Sequence, residues 1–148
     1  MARDERGGEI QIIFYPSFLD SSYAARASAA LDEQEAAGDA WLENPSDPAL
    51  QARMQAAIDA VKAIPRPSYK RIADHIDHVV RLVGVKHVGM GSDFDGIEAT
   101  PDGLEDVSRM QKVIIELRKR GYSEYEIRQI AGANFLRVME QVQRMGEE

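Results

Sequence analysis

The chain of 148 residues contains no cysteine, only three histidines and a single tryptophan. Without cysteine there is no disulfide framework and no thiolate metal site. Basic charge is the scarcer sign: 18 Lys+Arg stand against 25 Asp+Glu, a formal net charge of −7. That balance argues against a nucleic-acid backbone or an anionic membrane surface as the main partner. No apolar run approaches the roughly 18–20 residues of a membrane span. The lead Met1-Ala2-Arg3-Asp4-Glu5-Arg6 lacks the charged-then-apolar build of a signal peptide, which favours a cytoplasmic setting. What is present, 44% hydrophobic and 29% charged residues, is an ordinary soluble globular composition. The length suits one domain, burying about two-thirds of the surface its unfolded chain exposes.

The segment Glu9-Ile10-Gln11-Ile12-Ile13-Phe14-Tyr15 is β-branched and aromatic, nearly continuous, and closed by Pro16. It reads as a strand buried on both faces, typical of a parallel sheet. From Ser21 to Ala63 the composition shifts to Ala, Glu, Asp and Gln, which favour helix. Gly38 and the cluster Asn44-Pro45-Ser46-Asp47-Pro48 cut that stretch into two helices, the second with Leu50, Met54, Ile58 and Val61 at helical spacing. Ser68 is expected to cap a helix over 69–83, with Ile72, Ile76, Val79 and Val83 facing inward. A second strand follows over 85–91. Asp102 and Gly103 then open a helix with Val107, Met110, Ile114 and Leu117 inward and Gly121 as its stop. Ser123-Glu124-Tyr125-Glu126 is a capping box for another helix, carrying Ile127 and Ile130. Gly132 interrupts it, and Asn134 is placed to cap a last helix with Phe135, Val138, Met139 and Val142 inward. Strand, helices, strand, helices is a βαβ crossover and implies an α/β fold with parallel strands. Two strands alone make a poor parallel sheet. Together with the core strand so close to the first residue, this predicts a truncated domain.

Two clusters are candidates for chemistry. The loop Asp93-Phe94-Asp95-Gly96 follows the second strand, at the end where α/β sheets and barrels place reactive groups. Gly89 and Gly91 share one face of that strand and are expected to clear space for a ligand or a close backbone. The competing local explanation is an Asp-rich turn. A calcium EF-hand loop starting at Asp93 fails, because its sixth and twelfth positions hold Glu98 and Leu104. A phosphoryl-transfer Asp-x-Asp-Gly-Thr motif, as in haloacid-dehalogenase phosphatases, needs Thr where Ile97 stands and remains as an alternative using Asp93. In Asp74-His75-Ile76-Asp77-His78, histidines at helical spacing suggest a shared metal. The better reading puts Arg71, Asp74, His78 and Arg81 on the solvated face as charge pairs. It leaves His75 at the edge of the buried face, bonded to a neighbouring element. Trp41, Phe14 and Phe18 read as packing residues. Tyr15 ends a strand and is placed to face the same mouth as Asp93.

Four stretches together resemble the membrane (renal) dipeptidases, zinc-dependent barrels of the amidohydrolase type. They are Gly7-Gly8-Glu9-Ile10-Gln11 with Phe14-Tyr15-Pro16-Ser17-Phe18, and Ala73-Asp74-His75-Ile76-Asp77-His78. The third is His87-Val88-Gly89-Met90-Gly91-Ser92-Asp93-Phe94-Asp95-Gly96 with Pro101-Asp102-Gly103-Leu104-Glu105-Asp106-Val107-Ser108. The fourth runs from Arg120-Gly121-Tyr122-Ser123 through Ile127-Arg128 to Gly132-Ala133-Asn134-Phe135-Leu136-Arg137-Val138. The resemblance implies the C-terminal part of a (β/α)8 barrel of the metal-dependent hydrolase type, a fold of about 250 residues. Residues 1–148 are then one fragment, with a helical insertion at about 21–63, and Met1-Ala2-Arg3 is the tail of a helix. The activity implied is hydrolysis of dipeptides with two zinc ions. The family's ligands, a His-x-Asp pair, a bridging Glu and two later His, lie upstream of this chain, and none of its three His matches one. The isolated chain is therefore expected to be inactive. The resemblance carries over Asp93 as the catalytic carboxylate, taking a proton from water and delivering it to the leaving amine. Tyr15, near the preceding strand end, is expected to line the pocket beside the substrate. A homodimer is the implied state of the complete enzyme. A non-catalytic interaction module and the phosphatase remain as the other classes.

Overall fold

The computed structural model describes residues 7–146. The expected helix tail at Met1–Arg3 lies outside the described residues. Strands β1 (Ile10–Ile13) and β2 (Val88–Ser92) pair in parallel, with Ile10 opposite Val88 and Ile12 opposite Met90. The register then slips, so that Ile13 faces Ser92 and Gly91 is the extra residue of a bulge. Burial of β1 on both faces does not hold. Ile12 and Phe14 enter the core, whereas Ile10 and Ile13 stay 53% and 39% exposed because the described elements leave them uncovered.

Between the strands lie α1 (Pro16–Leu19), α2 (Ser21–Glu43), α3 (Pro48–Lys62) and α4 (Lys70–Val83). Asp20 caps α2 through the amides of Ser22 and Tyr23, at 2.9 and 3.0 Å. Gly38 does not break α2. One interior glycine costs a helix about 1 kcal/mol, and here Gly38 lies against Met54 of α3, with which α2 packs as a hairpin. The break falls at residues 44–47, where Asp47 caps α3 and Pro48 takes its first turn. Phe18, expected to pack, is 65% exposed, its ring edge-on to Tyr15. Helix α4 carries the clearest apolar stripe. Ile72, Ala73, Ile76 and Val79 are buried against Ile12, Phe14, Val88 and Leu117. Burying one such aliphatic side chain is worth about 1.5–3 kcal/mol.

Ser68 caps the start of α4, its hydroxyl accepting from the Lys70 amide at 3.4 Å, with Tyr69 already in helical conformation. Residue 68 also forms a parallel bridge with Asp102: the Tyr69 amide donates to the Asp102 carbonyl at 3.0 Å, and the Asp102 amide to Pro67 at 2.8 Å. That pairing removes Asp102 from any helix start. The chain after β2 remains irregular until a 3-10 turn at Val107–Arg109, capped by Asp106, and α5 (Gln111–Lys119). Val107 is 71% exposed rather than inward, while Val113 and Leu117 are buried. Gly121, at φ +93°, follows the end of α5. The capping box at Ser123 starts α6 (Glu124–Arg128) with both reciprocal bonds made. A wide turn over Gln129–Ala133, irregular at Gly132, leads to α7 (Asn134–Gly146).

The inward stripe expected on α7 also fails. Phe135, Met139 and Val142 are 52%, 41% and 63% exposed, since no described element lies over them. Asn134 does not serve as a cap. It is fully buried, and its side-chain amide donates to the carbonyls of Val85 and Val88 at 2.7 and 2.9 Å. Arg137, one turn on, donates to Gly7 and Lys86. The first turn of α7 thereby grips the chain where both strands begin.

Candidate functional site

Strand β2 ends at Ser92 with left-handed backbone, φ +67°, and Asp93 just beyond it is left-handed too, at φ +103°. Non-glycine residues rarely hold such values, and they gather where a surrounding frame over-determines the chain. The frame here is local. The Phe14 amide donates to Ser92 at 2.8 Å, tying the end of β2 to the end of β1. The Gly96 amide donates to the Asp93 carbonyl at 3.2 Å and closes the loop. Phe94 anchors it from below, its ring edge-on to buried Phe14 at 6.0 Å. The loop expected from the sequence is thus present, with Asp93 exposed at its entrance.

Asp93 lines a cleft of about 540 Å³, together with Gln11, Ile13, Met90 and Gly91 from the two strands and Ile130, Gly132 and Phe135 from the other wall. The wall is mostly apolar, with Asp93 its one ionisable group among the described residues, the setting in which a single carboxylate can act on a bound molecule. Tyr15 sits at the neighbouring strand end, half-buried, and packs on Phe18 at 5.1 Å. The two expected site residues therefore share an end of the sheet, but Tyr15 is not part of the cleft wall. Asp95 is exposed and makes no hydrogen bond among the described residues; the loop is closed by the Asp93–Gly96 backbone bond.

The two glycines of β2 make room chiefly for the chain itself. A side chain at Gly89 would meet the carboxylate of Glu9 and lie 2.7 Å from Gln11 Nε2. One at Gly91 would press on the Ile12 carbonyl at 3.1 Å. Glu9 and Gln11 hydrogen-bond each other over Gly89, and Glu9 Oε2 is buried without a partner. Burial pushes the Glu9 carboxyl above its ordinary pKa, and the nearby Arg137 charge only partly offsets this. Glu9 was not singled out from sequence. The signal was an acidic residue just before a core strand, two residues from Gln11, which faces Gly89 on the partner strand.

Two of the three histidines have structural partners. His75 Nε2 lies 3.1 Å from the Leu19 carbonyl, a bond in which the ring donates. His87 Nδ1 is 2.7 Å from the Gly8 carbonyl, joining the approaches to both strands. His78 is exposed on α4. Among the described residues no group of three His, Asp or Glu is placed to hold a metal ion.

The carboxylates of α4 go elsewhere. Asp74 pairs with Arg71 at 3.5 Å as expected, but both Asp74 and Asp77 also hold Arg120 Nη1, at 2.8 and 2.6 Å. Glu116 takes Arg120 Nε at 3.1 Å, and Tyr122 donates its hydroxyl to Asp77 at 2.8 Å. Partial burial works against the Arg120 charge, yet the bonds from Asp77, Asp74 and Glu116 outweigh it and raise its pKa. Tyr122 is pushed well above its ordinary value by burial, then by its bond to Asp77. This cluster fastens α4 to α5 and to the start of α6. Sequence reasoning missed it because the partners lie some forty residues apart.

A family model for membrane dipeptidases, peptidase family M19, matches residues 2–148. The dipeptidase verJ of Clonostachys rogersoniana is 47% identical over 79 residues, covering 53% of this chain and 20% of that protein. The dipeptidase ataJ of Aspergillus terreus is 49% identical over 73 residues, covering 49% and 18%. In three dimensions the chain is similar to the probable dipeptidase PvdM from Pseudomonas aeruginosa, at 30% identity and a TM-score of 0.62. That match covers 93% of this chain and 38% of the other. The matched residues span about a fifth of the length of these two curated relatives.

Proposed function

The chain belongs to the membrane dipeptidase family, and from that premise we propose that it is the C-terminal part of a zinc-dependent dipeptidase barrel in which Asp93 carries proton transfer. The observation that supports this role is the position of Asp93. It stands at the C-terminal end of a parallel strand, on held left-handed backbone, as the one ionisable group that the described residues give to an apolar cleft. Hydrolysis of a dipeptide forms a bond from water oxygen to the carbonyl carbon and breaks the bond to nitrogen. Asp93 accepts the proton that the water loses and returns it to the departing amine, a cycle that suits a carboxylate. Tyr15, at the adjacent strand end, is assigned to the rim that receives the substrate.

Zinc enters with the family, but the described residues of this chain do not fit it. His75 and His87 are committed to carbonyls, and the acidic residues of α4 are committed to arginines. The metal ligands belong, on this reading, to the part of the dipeptidase fold beyond this chain, and no step here runs through them. The phosphatase alternative draws no support from membership of a peptidase family.

The test is substrate class. A full-length protein carrying this chain, assayed with a dipeptide and with an aryl phosphate ester at equal zinc loading, is expected to hydrolyse only the dipeptide. Turnover of the ester alone would overturn the proposal. A folded, zinc-loaded protein with neither activity would overturn it in favour of an interaction module.

A further inference from the structure

Glycines in this chain serve two different needs. Gly84 and Gly121, both at φ +93° and with open space where a side chain would go, are required by their backbone. Gly96 is the opposite case. Its backbone lies outside the left-handed region, so any residue can adopt it. The three nearest atoms that a side chain would meet all belong to one residue. A Cβ on Gly96 would strike the Asp93 carboxylate, with Oδ1 nearest, Cγ at 3.1 Å and Oδ2 at 3.5 Å.

We propose that Gly96 is a positioning residue whose missing side chain seats the Asp93 carboxylate and fixes its aim at the cleft. The inference rests on the role proposed for Asp93 and extends it to a residue that touches no substrate. The seat is made by three local features. The Gly91 bulge offsets the strand end, the left-handed Ser92–Asp93 pair turns the side chain back over its own loop, and the Gly96 amide holds the Asp93 carbonyl. The nearest atoms that a methyl group at position 96 meets are the end of a flexible side chain. The protein can therefore accept it by swinging the carboxylate away. The consequence falls on orientation rather than on folding.

The experiment is a double-mutant cycle in a full-length, active dipeptidase carrying this chain. Gly96→Ala is expected to lower kcat by about tenfold or more, within the span of general acid–base contributions, with KM little changed. Its Tm should stay close to that of the parent. In an Asp93→Asn background, Gly96→Ala should produce no further loss, because the group it displaces no longer transfers a proton. A normal kcat in Gly96→Ala, a large fall in its Tm, or an equal loss of kcat in the Asp93→Asn background would each overturn the assignment. Full activity of Asp93→Asn itself would instead overturn the reading on which it stands, so the two failures are told apart.

Discussion

The junction of α4, α5 and α6 and the mouth of the sheet are built on opposite plans. At the junction, Arg120 meets three carboxylates and a backbone carbonyl, Tyr122 meets Asp77, and Ile72, Ile76 and Leu117 are fully buried close by. At the mouth, Asp93 stands exposed on left-handed backbone, and Ile13 and Phe135 remain open to the cleft. The first arrangement fastens secondary structure together, and the second keeps one carboxylate accessible. The lesson is where to look for each kind of effect: stability should change at the junction, and reactivity at the mouth.

The contrast can be broken or sharpened by substitution on the junction side. Arg120→Met leaves Asp74, Asp77 and Glu116 facing one another without their shared cation. Hydrogen bonds to charged groups contribute about 1.5–3 kcal/mol, and removing a fully buried partner costs about 3–5. Because Asp74 is 44% exposed, the lower range applies. Thermal unfolding should show Tm falling by several degrees, with kcat of the folded enzyme close to that of the parent. A selective loss of kcat at unchanged Tm would place Arg120 in the site instead. A smaller effect is expected at His78, which shares α4 but faces solvent. His78→Gln should change stability by less than about 1 kcal/mol, as at an exposed ion-pair face. Zinc content per chain should be unchanged by it, and loss of a metal ion would revive a helix-borne metal site.

Sequence reading succeeded where a pattern is local and failed where a partner is distant. The stripe Ile72, Ile76, Val79 needs only helical periodicity, and the Ser123–Glu126 capping box needs four consecutive residues. The parallel strand pair follows from the length of the crossover between them. In contrast, Asp102 looks like a helix start until Ser68 pairs with it, and Asn134 looks like a cap until it is drawn to Val85 and Val88. Helix α7 has an apolar stripe that the described chain leaves uncovered, which periodicity alone does not reveal. At the site, the placement of Asp93 just past a strand end was legible from the sequence. The seat at Gly96 was not, because it depends on the backbone turn at Ser92 and Asp93.

The most direct measurement is kcat for a dipeptide in Asp93→Asn and Asp95→Asn, made in the full-length enzyme at equal zinc loading with Tm recorded for each. The two aspartates lie two residues apart in one loop, so a merely local disturbance would touch both. Asp93→Asn should lose about 100- to 10,000-fold in kcat while its Tm and zinc content hold. Asp95→Asn, which is exposed and unbonded among the described residues, should keep most of its activity. An inactive, well-folded Asp95→Asn beside a fully active Asp93→Asn would contradict the account.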